Sequence, residues 1–164
     1  MRAVVAALAA LAACGDNLPG VDAAVTCTAT FAGGFADTTS SGGACAQLAK
    51  ASGSDDMLLG FAIDSNVLGA QVAISIDLGV APATGAYSSE TLATWHAVEA
   101  KSILDGACVY SAGSVVTPHG SFQLALAALD AGTAHGSLSI VQYVHAVDGA
   151  NCGPSDTETI DVAF

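Results

Sequence analysis

The chain has 164 residues and a formal net charge of −12, from fifteen Asp and Glu against three Lys and Arg. A surface of that sign repels phosphate backbones, which argues against nucleic acid as a partner, and the length fits one domain. Hydrophobic residues make up 52%, but alanine supplies much of that, and after the N-terminus no run of about 18 large apolar residues predicts a spanning helix.

The chain opens MRAVVAALAALAACGDNLPG. Arg2 is a short basic start, and AVVAALAALAA is an apolar run of eleven residues. That is too short to cross a bilayer and has the length of an export signal. No polar face interrupts it, so residues 1–13 are read as a cleaved signal helix outside the fold. The run ends Leu11-Ala12-Ala13-Cys14. This stretch resembles the lipobox of bacterial lipoproteins: a leucine, two small residues, then the cysteine that receives lipid. The resemblance implies acylation of Cys14, including palmitate-like chains, and cleavage just before it. It covers residues 1–14 alone; the body has the general look of small exported β-sandwich lipoproteins. Two or three acyl chains hold firmly where one holds marginally. By the sorting rule of enteric lipoproteins, Gly15 in place of aspartate points to the outer membrane over the inner. Loss of Arg2 with the signal leaves two lysines against fifteen acids, a balance of −13.

Residues 14–24 then read as a lipidated tether. GDNLPGVDAA has Pro and Gly and no periodicity, and its ten residues reach at most about 35 Å. From residue 25 to 164 a single domain is expected, dominated by period-two alternation. In VTCTATF, Cys27, Ala29 and Phe31 alternate with threonines; in QVAISIDL, Val72, Ile74, Ile76 and Leu78 share a side. SFQLALAAL repeats the pattern with Phe122, Leu124 and Leu126, and ETIDVAF with Ile160, Val162 and Phe164. Such alternation marks half-buried strands. MLLGFAID, LATWHAVE, ACVYS and SLSIVQYVHAV are further candidates, and ACAQLAKA leans to strand over a short helix. Turn-rich breaks separate them, among them GGFADTTSSGG, GVAPATGAYSS and DAGTAHG. The fold class predicted is all-β: an antiparallel sandwich, or a barrel-like variant, of about seven to nine short strands. His-Gly-Ser occurs at His119 and again at His135, read as polar starts of two strands in one hairpin.

Five cysteines is an odd count, and assigning Cys14 to lipid leaves Cys27, Cys45, Cys108 and Cys152. An even set in an exporting compartment predicts disulfides. Three connectivities are open; Cys27–Cys45 with Cys108–Cys152 is preferred because each closes a comparatively short loop. None of these cysteines has C-x-x-C spacing, which disfavours a metal thiolate site.

No hydrolase, zincin, P-loop or dinucleotide signature is present, so no catalytic residue, metal or cofactor is predicted. His96, His119, His135 and His145 would have to meet in space to bind a metal. Calcium candidates are Asp55, Asp56, Asp64, Ser65 and Asn66, with Asp148, Asn151 and Asp156 near the C-terminus. A carbohydrate platform would need Trp95 exposed, with support from Tyr87, Tyr110 or Tyr143. The reading is a non-enzymatic cell-envelope lipoprotein, bound to the bilayer through Cys14 and contacting another envelope component. Its rivals are a carbohydrate- or calcium-binding module and an envelope hydrolase.

Overall fold

A computed structural model describes residues 27–33, 38–41, 45–64, 71–103, 106–130, 132–147 and 156–164. Eleven strands follow in chain order. They are β1 (Thr28–Gly33), β2 (Thr38–Ser41), β3 (Gln47–Lys50), β4 (Met57–Asp64), β5 (Gln71–Asp77), β6 (Gly85–Ser88), β7 (Trp95–Ile103), β8 (Gly106–Gly113), β9 (Ser121–Asp130), β10 (Thr133–Val147) and β11 (Thr157–Ala163). Every pairing is antiparallel. Among the described residues there is no helix, and ACAQLAKA contributes β3. The signal and tether, residues 1–24, lie outside the described residues.

All nine candidate segments become strands, and two more appear where turns were expected. β2 lies within GGFADTTSSGG and β6 within GVAPATGAYSS. Both sit at the margins of the sheet, β2 paired to β1 and β6 to β9. A marginal strand needs no buried stripe to hold it, so Thr-Thr-Ser-Ser and Gly-Ala-Tyr-Ser carry no alternation to read. A third difference concerns β10, which starts at Thr133 inside the expected turn DAGTAHG and runs for 15 residues.

The strands form one continuous sheet that folds over itself. One layer runs β2-β1-β11-β10 and continues through β9 to β6; the other runs β3-β4-β5-β7-β8. β10 joins the layers at two places. Its far end pairs with β8 from Tyr143 to Val147. Its near end meets β3, where Thr133 faces Gln47, Leu48 N–H donates to the Gly132 carbonyl (3.1 Å) and Ala134 N–H to the Ala46 carbonyl (3.3 Å). The circuit β10-β3-β4-β5-β7-β8 therefore closes, giving a sandwich with a barrel-like wrap.

The alternating side chains converge between the layers. Phe31, Leu59, Ile74, Ile76, Leu124, Ile140 and Ile160 are all essentially inaccessible. Two aromatic edge-to-face contacts bind distant strands, Trp95 to Phe122 (centroids 5.0 Å) and Phe61 to Phe164 (4.9 Å). One polar pair lies inside as well: Gln142 and Glu158 face each other across β10 and β11, and Gln142 Nε2 donates to Glu158 Oε2 at 2.9 Å. Glu158 shares the inward parity of Ile160, so the strand buries its carboxyl; a hydrogen bond offsets part of the desolvation cost. At the margin, Tyr87 Oη donates to the Ala83 carbonyl (2.7 Å) and accepts the Ala83 N–H (3.0 Å), clasping the loop before β6.

The two His-Gly-Ser stretches play different parts from the matched strand starts expected. His119-Gly120-Ser121 leads into β9, whereas His135-Gly136-Ser137 lies within β10, at a bulge where the register to β9 shifts. Both glycines mark close backbone approaches: a Cβ at Gly136 would overlap the Ala125 carbonyl, and one at Gly120 the Val141 carbonyl.

Cys27 and Cys45 are joined by a disulfide, their Cα atoms 5.8 Å apart. The Cys108 side chain and all of Cys152 lie outside the described residues.

Three stability outcomes follow, each read by urea denaturation. Ile160→Ala should cost about 2–5 kcal/mol through a core cavity. Gly136→Ala, though only a methyl is added, should cost at least about 1–3 kcal/mol because a backbone carbonyl must move. The Cys27→Ser/Cys45→Ser double variant should lose about 3 kcal/mol, from the loop entropy returned to the unfolded chain.

Candidate functional site

The sequence alternation that buries one face of each strand exposes the other, and on β1, β11, β10 and β9 that other face is unusually small and polar. Thr28 and Thr30 from β1 stand near Ser137 and Ser139 from β10, with Asp161 from β11 between them. Gln123 and Ala125 continue the face on β9, and Ala86 closes it on β6. Short side chains on a twisted sheet leave a hollow. Here it is a shallow concavity of about 440 Å³, open to solvent. Among the described residues, Asp161 is the only ionisable side chain lining it. The lining combines hydroxyls and one carboxylate with alanines and parts of Leu124, Leu138 and Val162, and its exposed surface is mostly apolar. Such a surface can accept hydrogen bonds and attract a positive group, and it presents little that would engulf a small molecule.

Thr28 and Thr30 were visible as the polar half of an alternation, and Ser137 and Ser139 lay in a candidate strand. Their assembly was not, because β1 and β11 come from opposite ends of the described chain.

The histidines are dispersed. His96, on β7 opposite Ser75 and Gly113, lies with its ring over Gly113. Burial lowers its pKa from the ordinary value of 6.5, because the imidazolium would lose hydration there. His119 is exposed, and its carbonyl accepts the Gly113 N–H at 2.8 Å. These two residues thus meet at Gly113, one by ring and the other by backbone. His135 faces Ala128 near the opposite end of β9 and stands 3.7 Å from Asp130. Thus the β9–β10 hairpin holds His119 and His135 apart. The side chain of His145 lies outside the described residues. Among the described residues, no three His, Cys, Asp or Glu side chains gather as a metal would require.

Of the calcium candidates, Asp55, Asp56 and Asp156 have described side chains. Asp55 forms an ion pair with Lys50 at 2.5 Å, and Asp56 accepts a hydrogen bond from Ser54 Oγ at 2.5 Å, both within the β3–β4 turn. Asp156 is exposed, just before β11. Ser65, Asn66, Asp148 and Asn151, with the Asp64 side chain, lie outside the described residues. Trp95 is 4% exposed and packs on Phe122, so it serves the core and offers no stacking surface. Tyr110 is fully buried, Tyr87 clasps its own loop, and Tyr143 is half-buried.

No protein-family model matches this chain, and neither the curated proteins nor the solved structures contain a match to it. The class defined by the fold is an all-β, two-layered antiparallel sandwich with barrel-like closure.

His96 makes the fold sensitive to acid with a definite sign. Its lowered pKa means the unfolded chain binds its proton first as pH falls. The stability it supports is whole above about pH 6.5 and is lost as pH drops through the folded value. The gap in denaturation midpoint between wild type and His96→Gln should therefore shift against the wild type on going from neutral to mildly acidic buffer. A gap that stays constant with pH would refute this role.

Proposed function

We propose that the protein is an exported, lipid-anchored component of the bacterial cell envelope with a non-catalytic structural or interaction role. The observation that carries this reading is Leu11-Ala12-Ala13-Cys14 at the end of an eleven-residue apolar run. Four features support it. A stretch with Pro and Gly and no periodicity follows Cys14 in the sequence, and removing Cys14 leaves an even number of cysteines. The Cys27–Cys45 bridge suits an oxidising compartment. The body is a sandwich of the kind that presents broad surfaces to partners.

Within this reading the open concavity beside Asp161 is the contact face. Its breadth suits a protein or polymer surface, and a chain of net charge −12 favours a partner bearing positive charge. Anchoring close to the bilayer would present that face to neighbours in the same membrane. The outer membrane is the proposed destination, on the strength of Gly15.

The test is chemical. Intact mass of the membrane-extracted protein should show a chain beginning at Cys14 with added acyl mass, and Cys14→Ser should move the protein from the membrane fraction to the soluble one. A mature chain beginning elsewhere, or an unmodified Cys14, would refute the anchor.

A further inference from the structure

We infer that the outer concavity reads lysine: it takes the primary ammonium of a lysine on a partner protein at Asp161, with the lysine stem lying over the alanines beside it. This rests on the contact-face reading above and names the group that the face would hold.

Register carries the inference. Two rows of outward side chains cross β1, β11 and β10 next to each other. In one row Thr30 stands opposite Asp161, and Asp161 opposite Ser139; in the other Thr28 stands opposite Ala163, and Ala163 opposite Ser137. All of these residues line the concavity. Opposed residues on neighbouring strands hold their Cβ atoms about 5 Å apart, so the carboxylate has a hydroxyl on either side. Among the described residues, the side chains of Thr30, Asp161 and Ser139 have no hydrogen-bond or ion-pair partner within the chain. The two rows lie two residues apart along each strand, about 6.8 Å. Ala163 therefore sits one step from Asp161, and Ala125 and Ala86 continue the small apolar floor onto β9 and β6.

An ammonium is the cation that fits this arrangement. It is a compact charge whose three donors point to different sides, one for the carboxylate and one for each flanking hydroxyl. A guanidinium would commit its planar fork to the carboxylate and leave the hydroxyls to water. The four-carbon stem of lysine spans the step from one row to the next and covers the Ala163 methyl on the way. The charge has to come from outside. Lys50 pairs with Asp55 in the β3–β4 turn, and among the described residues no Lys or Arg lines the concavity. Extent favours a lysine carried on a protein segment over a free amine, because the face runs across five strands from β1 to β6, about 19 Å.

Two-dimensional NMR on the full chain carrying Cys14→Ser tests this independently of acylation. The probes are acetylated five-residue peptides, alanine throughout except for a central lysine, arginine or norleucine. The lysine peptide should move the amide signals of Thr30, Ser139, Asp161 and Ala163 and bind more tightly than the arginine peptide, and the norleucine peptide should not saturate. Asp161→Asn should weaken the lysine peptide about fivefold. Glu90→Gln, which removes the same charge from the exposed turn before β7, should leave its affinity unchanged. Ala163→Leu keeps the carboxylate and blocks the path of the stem, and should weaken binding as well. Equal losses in Asp161→Asn and Glu90→Gln, arginine bound as tightly as lysine, or shifts confined to another face would each refute the inference. n-Butylamine bound as tightly as the lysine peptide would refute the protein segment as occupant. No binding by a protein whose native form carries acyl mass at Cys14 removes the lysine site and leaves the anchor; binding by one whose native form lacks it does the reverse.

Discussion

The rest of the structure depends on β10. A strand can form two ladders at once, one along each edge, and this 15-residue strand uses both edges with four different neighbours. One edge takes β3 and then β11; the other takes β9 and then β8. On one edge the register pairs to β11 run from Ser137 to Tyr143, and on the other those to β9 and β8 cover Thr133–Gly136 and Tyr143–Val147, so most residues of the strand have a ladder partner on at least one side. Because the same backbone belongs to both layers, neither layer can slide without breaking ladders in the other. The bulge at Gly136 is where the strand changes direction enough to serve both, and the missing side chain there lets the Ala125 carbonyl approach.

Register then settles what is buried. With β11 aligned so that Ile160 faces Ile140, Val162 and Ile160 fill the core and Glu158 comes opposite Gln142. A slip of one residue would turn Asp161 and Thr159 inward and expose the aliphatic set. The Gln142–Glu158 hydrogen bond adds a polar penalty to the same slip, since each group would lose its buried partner. Apolar packing and this one polar pair favour the same alignment, and the outer face with Asp161 at its centre follows from it.

The outer face and the disulfide are linked through β1. That strand contributes Thr28 and Thr30 to the concavity and begins directly after Cys27. β1 thus ties the disulfide to one wall of the concavity, so the outer face and the core share a strand.

Much of the fold was legible in the sequence, because strand alternation is local: a side chain's face depends on its own parity. The inward sets of β5, β9 and β11 could be read directly. Short polar strands at the margins, β2 and β6, lacked that signal because Thr-Thr-Ser-Ser and Gly-Ala-Tyr-Ser have no apolar alternation to read. The start of β10 was hidden for a different reason, since Thr133, His135 and Gly136 have turn composition while their register partners lie on the distant β3 and on β9, and Gly136 exchanges backbone hydrogen bonds with Phe164. The outer concavity was not legible at all. Sequence determined which residues point away from the core. Only the tertiary structure brought β1 beside β11 and β11 beside β10, since strand pairing over long separation depends on ladders and packing summed over the whole chain, and no short stretch of residues contains that sum.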